Sequence, residues 1–165
     1  MNVANKSIVI RSSMFGFEDG LVSTVGLLSG IAVAGVPNKT IILTGIVLVC
    51  VEALSMGIGS FLSEETVEEG DHKKNAFRIS FNSGVAMLLS YLIAGLIPLI
   101  PYFIGDSLIN VYLSISITLI SLLFLGLISA NYAKISMLKN ALRVLLLGGA
   151  TVIIGVVIGN LIPPV

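Results

Sequence analysis

The sequence predicts an all-α membrane protein in which residues 1–165 form one domain of five transmembrane helices. Two observations carry this. Apolar side chains make up 56% of the chain, charged ones only 11%, and mean hydropathy is +1.07, against about 45–50% and about 25% in soluble domains. Several apolar runs also reach the roughly 20 residues that a helix needs to cross about 30 Å of hydrocarbon, and no alternating ten-residue pattern suggests a barrel.

The spans are predicted at 14–36, 40–62, 81–104, 107–130 and 142–162. Pro37-Asn38 breaks the chain after the first, and Pro98, Pro101 and Gly105-Asp106 cluster around the end of the third, each a combination that favours turns. Only the 63–80 connection is long and charged. No linker, second domain or internal repeat is visible. The segment before the first span lacks the apolar core and cleavage site of a signal peptide, so that span is expected to be retained.

Five spans place the termini on opposite sides, and basic residues decide which is which. Lys6 and Arg11 precede the first span, Lys73, Lys74 and Arg78 follow the second, and Lys134, Lys139 and Arg143 follow the fourth. The other side holds Lys39 alone. The N-terminus and both basic loops are therefore expected in the cytosol. With zero formal net charge and scattered basic residues, no nucleic-acid partner is expected. Cys50, the single cysteine, cannot form an intrachain disulfide and reads as a packing residue.

Small residues let helices approach closely in lipid. Gly26 and Gly30 form a GxxxG in the first span, and Gly155 and Gly159 another in the fifth; packing inside the bundle is the simpler role, a dimer seam the other. Ser114, Thr118 and Ser121 make a weakly polar stripe on the fourth span, with hydroxyls expected to bond carbonyls of their own helix.

The informative anomaly is acidic. In "VEALSMGIG", Glu52 lies near the middle of the second span, with Met56 one turn later, and Asp19, preceded by Glu18, lies in the first span. An acid at a helix centre costs about 2.5–3.5 kcal/mol on insertion scales, so such residues mark functional positions unless a partner compensates them. Residues four apart share a helix face, which aligns Glu52, Met56 and, further on, Ser60 and Ser63 on one helix and Asp19, Ser23, Gly26 and Gly30 on another. At about 1.5 Å per residue, Asp19 and Met56 fall roughly 8 and 9 Å from the cytosolic ends of antiparallel helices. They are expected at one level, with Glu52 a turn deeper. Taken singly, Asp19 could cap a helix, Met56 could fill a gap and Glu52 could hydrogen-bond as a neutral acid.

Carboxylates suit hard divalent cations, and a thioether adds a softer donor that leans the set toward Fe²⁺ and its first-row neighbours. A carboxyl group in a low-dielectric medium can also trade a proton for a cation. The metal residues are therefore expected to be Asp19, Glu52 and Met56, serving transported Fe²⁺ or Mn²⁺ rather than a resident cofactor.

These blocks resemble the vacuolar iron transporter family, which includes plant and fungal vacuolar iron and manganese carriers and many prokaryotic proteins. "FEDGLVSTVGLLSGIAVAG" is similar to its first helix and "VEALSMGIGSFLSEE" to its second. "LIPLIPYFI" resembles the proline-rich end of its third helix and "NALRVLLLGGATVIIGVVIG" its last. The resemblance implies a homodimer of five-helix subunits, with a metal path near the two-fold axis and proton-driven export of Fe²⁺ from the cytosol. Asp19 and Met56 match the family's first-helix acid and second-helix methionine, and Glu52 stands where an aspartate is common.

One departure concerns the loop. The long Glu-rich insert between the second and third helices shrinks here to "SEETVEEGDHKKNAFRIS". Glu64, Glu65, Glu68 and Glu69, with His72 beyond, could form a reduced metal-collecting patch or a solvated acidic stretch balanced by Lys73, Lys74 and Arg78. Gly70 would disturb a helix running through to His72.

The function implied is a divalent-metal transporter whose partners are metal ions, protons and the lipid bilayer, in a prokaryotic cell membrane or a vacuole-type organelle membrane. The alternative is a non-transporting membrane scaffold assembled through its glycine faces. No enzyme is expected: the one histidine lies in a loop, no nucleophile is paired with a base, and HExxH is absent.

Overall fold

A computed structural model describes residues 3–70, 75–105 and 108–162. His72, Lys73, Lys74 and Asp106 lie outside them. Five helices follow one another: α1 Val3–Val33, α2 Asn38–Gly70, α3 Ala76–Leu96, α4 Leu108–Ala133 and α5 Met137–Leu161, with a short 3₁₀ turn at Ile100–Phe103. Each is long and apolar enough to cross a membrane. The chain is an all-α membrane protein.

Large apolar side chains are exposed along the outer helices, among them Leu43 and Leu54 on α2, Phe124 and Ile128 on α4, and Leu146 and Ile153 on α5. In water such a surface would drive association, but against lipid it costs nothing. Polar groups turn inward instead, where Ser12, Thr24, Ser29, Ser83, Ser114 and Thr118 are buried. The central element is α1, which packs on all four other helices and most extensively on α3 and α5. α3 also packs broadly on α2, so it stands between α1 and α2 along much of their length.

Glycine sets these close approaches. A Cβ on Gly30 would lie 2.8 Å from the Gly155 carbonyl oxygen, and side chains on Gly155 or Gly159 would collide with the carbonyls of Gly26 and Gly30. Both GxxxG motifs thus face each other across the α1–α5 contact within one chain, which is bundle packing. On the other flank Gly20 meets the Tyr91 backbone on α3, and Gly57 of α2 meets Gly84 of α3, where a Cβ would lie 2.7 Å and 3.1 Å from the facing carbonyls respectively.

Helix ends follow local chemistry. After α1, Gly35 takes a left-handed φ of 84°, and the bonds Val36 N to Ile31 O (3.2 Å) and Gly35 N to Ala32 O (3.1 Å) close a Schellman motif before Pro37. α4 ends in the same way at Lys134, φ 53°, with Ile135 N bonded to Ala130 O. α3 stops at Leu96 because Pro98 and Pro101 lack N–H donors. The carbonyls freed there find side chains: Ser114 donates to Pro98 O at 2.7 Å, and Asn38 to Tyr102 O at 2.7 Å. Ser114 therefore leaves the pattern expected of its stripe and bonds across to another element, whereas Thr118 and Ser121 bond carbonyls of α4 itself.

Two helices run much longer than the apolar pattern suggests, and α3 ends at Leu96, short of the expected 104 because the prolines stop it. α1 begins at Val3, well before residue 14, and α2 continues through the acidic stretch to Gly70. Hydropathy marks where lipid ends, but the helix persists because nothing before Gly70 breaks its ladder. We call the end carrying the N-terminus of α1 and the α2–α3 and α4–α5 connections the basic end.

Candidate metal path

Glu18 and Asp19 sit half-buried on α1, and Glu52 half-buried on α2. Asp19 repels Glu52 across the interhelical space and Glu18 along its own helix. Among the described residues no hydrogen bond or ion pair reaches the carboxylates of Asp19 or Glu52. Two acids at membrane depth thus face each other without a compensating cation from the protein, an arrangement expensive in hydrocarbon unless a cation, a proton or water is shared between them.

Tyr91 of α3 completes this group. Fully buried, it lies within electrostatic range of both Asp19 and Glu52. Its hydroxyl is 2.6 Å from Ser23 Oγ, and Ser23 bonds the Asp19 carbonyl oxygen at 2.6 Å. Because Ser23 spends its one proton on that carbonyl, Tyr91 is the donor to Ser23. The sequence offered a weak signal for Tyr91: an aromatic hydroxyl in the middle of an apolar span must find a partner.

Met56 lies one turn from Glu52 toward the basic end. It lines a cavity of about 640 Å³ together with Phe15 and Ser12 of α1, Ser60 and Glu64 of α2 and Met87 of α3. Antiparallel helices advance in opposite directions, so Phe15, one turn before Asp19, accompanies Met56, one turn after Glu52. The register that brings Ser60 to Ser12, and sets Gly20 against Tyr91 and Gly57 against Gly84 on the shared α3, matches Asp19 to Glu52, with Met56 a turn nearer the basic end, rather than Asp19 to Met56. Both helices extend past their apolar runs, α1 from Val3 and α2 to Gly70, so depth counted from the edges of those runs does not give the relative height of Asp19 and Met56.

Beyond Met56 the wall is hydroxylic. Ser12 Oγ is 2.7 Å from Ser83 Oγ, Ser60 Oγ is 2.9 Å from Ser83 Oγ, and Ser60 reaches Ser12 at 3.5 Å. Hydroxyls from three helices meet at this point. At the mouth, Arg11 forms an ion pair with Glu64. The four acids of the α2 extension do not share one environment: Glu64 and Glu65 are partly buried, Glu68 is buried and Glu69 is exposed. A uniformly solvated stretch does not describe them. Among the described residues no three His, Cys, Asp or Glu side chains gather closely enough to hold a metal ion.

Two segments, residues 10–78 and 66–160, match the sequence model of the VIT family. The chain belongs to the VIT family. The two VIT segments meet at 66–78, where α2 gives way to α3. The chain is 25% identical over 151 residues to vacuolar iron transporter homolog 4 of Arabidopsis thaliana, an alignment covering 84% of this chain and 76% of that one. With vacuolar iron transporter 1 of Oryza sativa subsp. japonica it shares 23% over 203 residues, covering 85% and 80%. That alignment is longer than this whole 165-residue chain, so the rice transporter carries inserted sequence absent here. Vacuolar iron transporter 1 of Tulipa gesneriana is 36% identical over 61 residues, covering 37% of this chain and 25% of that one.

Proposed function

We propose that this VIT-family protein carries a divalent transition metal, Fe²⁺ foremost and Mn²⁺ as a second substrate, out of the cytosol in exchange for protons. The observation that supports it best is the pair Asp19 and Glu52: facing carboxylates within the membrane, without a cationic partner among the described residues. Their ligand is a cation. Met56, a turn away at the cavity, adds a thioether that favours first-row transition metals over Mg²⁺ and Ca²⁺. The vacuolar iron transporters among its relatives point to iron.

Two carboxylates and a thioether leave a divalent ion short of ligands, which suits an ion that must leave again. It also suits a homodimer in which a second copy supplies a second set across a shared path. In this reading the basic end faces the cytosol, as the positive-inside bias favours. Glu64, Glu65, Glu68 and Glu69 stand on the metal's approach, and Glu64, at the cavity mouth, is the one positioned to meet it first. The membrane is a prokaryotic cell membrane or a vacuole-type organelle membrane.

The test is the purified protein in liposomes containing a Fe²⁺-quenched fluorophore, with an imposed pH gradient. Metal entry that follows the gradient and is lost in Asp19→Ala and Met56→Ala supports the proposal. Equal signals from wild type and both variants would remove the assigned path. Absence of flux for any divalent metal would leave a membrane scaffold.

A further inference from the structure

The cavity of about 640 Å³ at the basic end is walled by Ser12, Ser55, Ser60 and Ser63, by two thioethers, Met56 and Met87, and by two charged side chains, Arg11 and Glu64. A hydroxyl wall is out of place where lipid-facing surfaces are aliphatic, because each hydroxyl needs a partner once water is excluded. Here Ser12, Ser60 and Ser83 satisfy one another. A ring of three hydroxyls uses its three protons internally and still has oxygen lone pairs to offer. Ser12 and Ser60, the two that line the cavity, can accept from the water shell of a hydrated cation.

The two charged partners at the mouth are unequal. Arg11 is 71% exposed, while Glu64 is 12% exposed. If the pair opens, Arg11 can swing into solvent at small cost, whereas Glu64 stays at the cavity wall and needs another cation. The geometry points to an entry site for a divalent cation in this cavity, with Glu64 as its carboxylate ligand and Arg11 as a tethered cation that occupies Glu64 until the metal displaces it. The site rests on the transport reading for its purpose, but its binding chemistry can be measured without transport. It also gives Met87, on α3, a place beside Met56 as a second soft donor on the cavity wall.

Arg11 and the metal compete for one carboxylate, and competition has a signature that a structural staple lacks. The purified full-length protein is titrated with Mn²⁺ in detergent, reading the loss of the free-ion paramagnetic resonance signal, and in parallel the half-saturating Mn²⁺ for liposome uptake is measured. Arg11→Gln is expected to tighten binding about two- to fivefold, the range of a partly exposed ion pair. Glu64→Gln is expected to weaken it on the order of tenfold, and the double variant should match Glu64→Gln because nothing remains to compete for. Glu64→Asp, which keeps the charge, should lie between wild type and Glu64→Gln and serves if the latter does not fold. Arg11→Gln weakening binding, or no variant changing it, would overturn the site even where liposome uptake is intact. Wild-type protein that binds Mn²⁺ with the expected variant pattern but moves none would instead overturn the transport reading and leave the site standing.

Discussion

Tyr91 on α3 donates a 2.6 Å hydrogen bond to Ser23 on α1, and Ser23 in turn donates one to the backbone carbonyl of Asp19. The chain of bonds fixes the turn of α1 that carries Asp19 to the helix standing between α1 and α2. The acid is thereby held at a defined height opposite Glu52 by a neutral group rather than by a cation that would neutralise it.

Removing that tether should loosen the site without emptying it. Tyr91→Phe keeps the ring in its buried slot but deletes the bond, at a cost of about 1 kcal/mol. A lower midpoint of thermal unfolding in detergent and a raised half-saturating metal concentration are expected. Ser23→Ala, which removes both bonds, should lower the midpoint further.

The facing acids should be a cost to the metal-free protein. Asp19→Asn or Glu52→Gln abolishes their mutual repulsion and should raise stability by about 1 kcal/mol in metal-free detergent solution. Metal flux should fall on the order of tenfold or more for the same substitutions. Adding Glu52→Gln to Asp19→Asn should bring little further stability, because the repulsion between the two is already gone, although Asp19→Asn alone also relieves Glu18; a double-variant cycle on thermal midpoints measures this.

At Gly155 the α1–α5 seam has no room for a side chain. Gly155→Ala places a methyl group against the Gly26 carbonyl and should cost about 1–3 kcal/mol through overpacking. Gly149, six residues earlier on the same helix, has nothing within 4 Å of its added Cβ. Gly149→Ala should be neutral or stabilising by at most about 1 kcal/mol, and thermal unfolding of the two variants side by side separates seam packing from helix propensity.

Lys134 holds a left-handed backbone conformation that closes α4. Non-glycine residues there carry a strain of about 1–2 kcal/mol, which glycine avoids. Lys134→Gly should raise the unfolding midpoint, while Gly35→Ala, at the equivalent cap of α1, should lower it.

Much of this architecture was legible in the chain itself. Five apolar runs, their proline and glycine breaks and the acids lodged inside them are local properties, and each reports directly on whether a segment can reside in hydrocarbon. Hydropathy could not say where α1 begins or α2 ends, since a helix leaving the membrane changes its solvent but not its hydrogen bonding. Asp19, Glu52 and Met56 stood out because charge and sulfur in an apolar run are visible one residue at a time.

Their register depended on tertiary structure, because sliding one helix along another by a turn leaves every local pattern intact. Only the packing of α1 and α2 on α3, set where Gly20 meets Tyr91 and Gly57 meets Gly84, brings Asp19 level with Glu52 and moves Met56 into the cavity. The partners of these residues were hidden for the same reason. Tyr91, Ser12, Ser83, Met87 and Arg11 are ordinary residues in sequence, and they gain a role only when helices distant in the chain carry them to the same place.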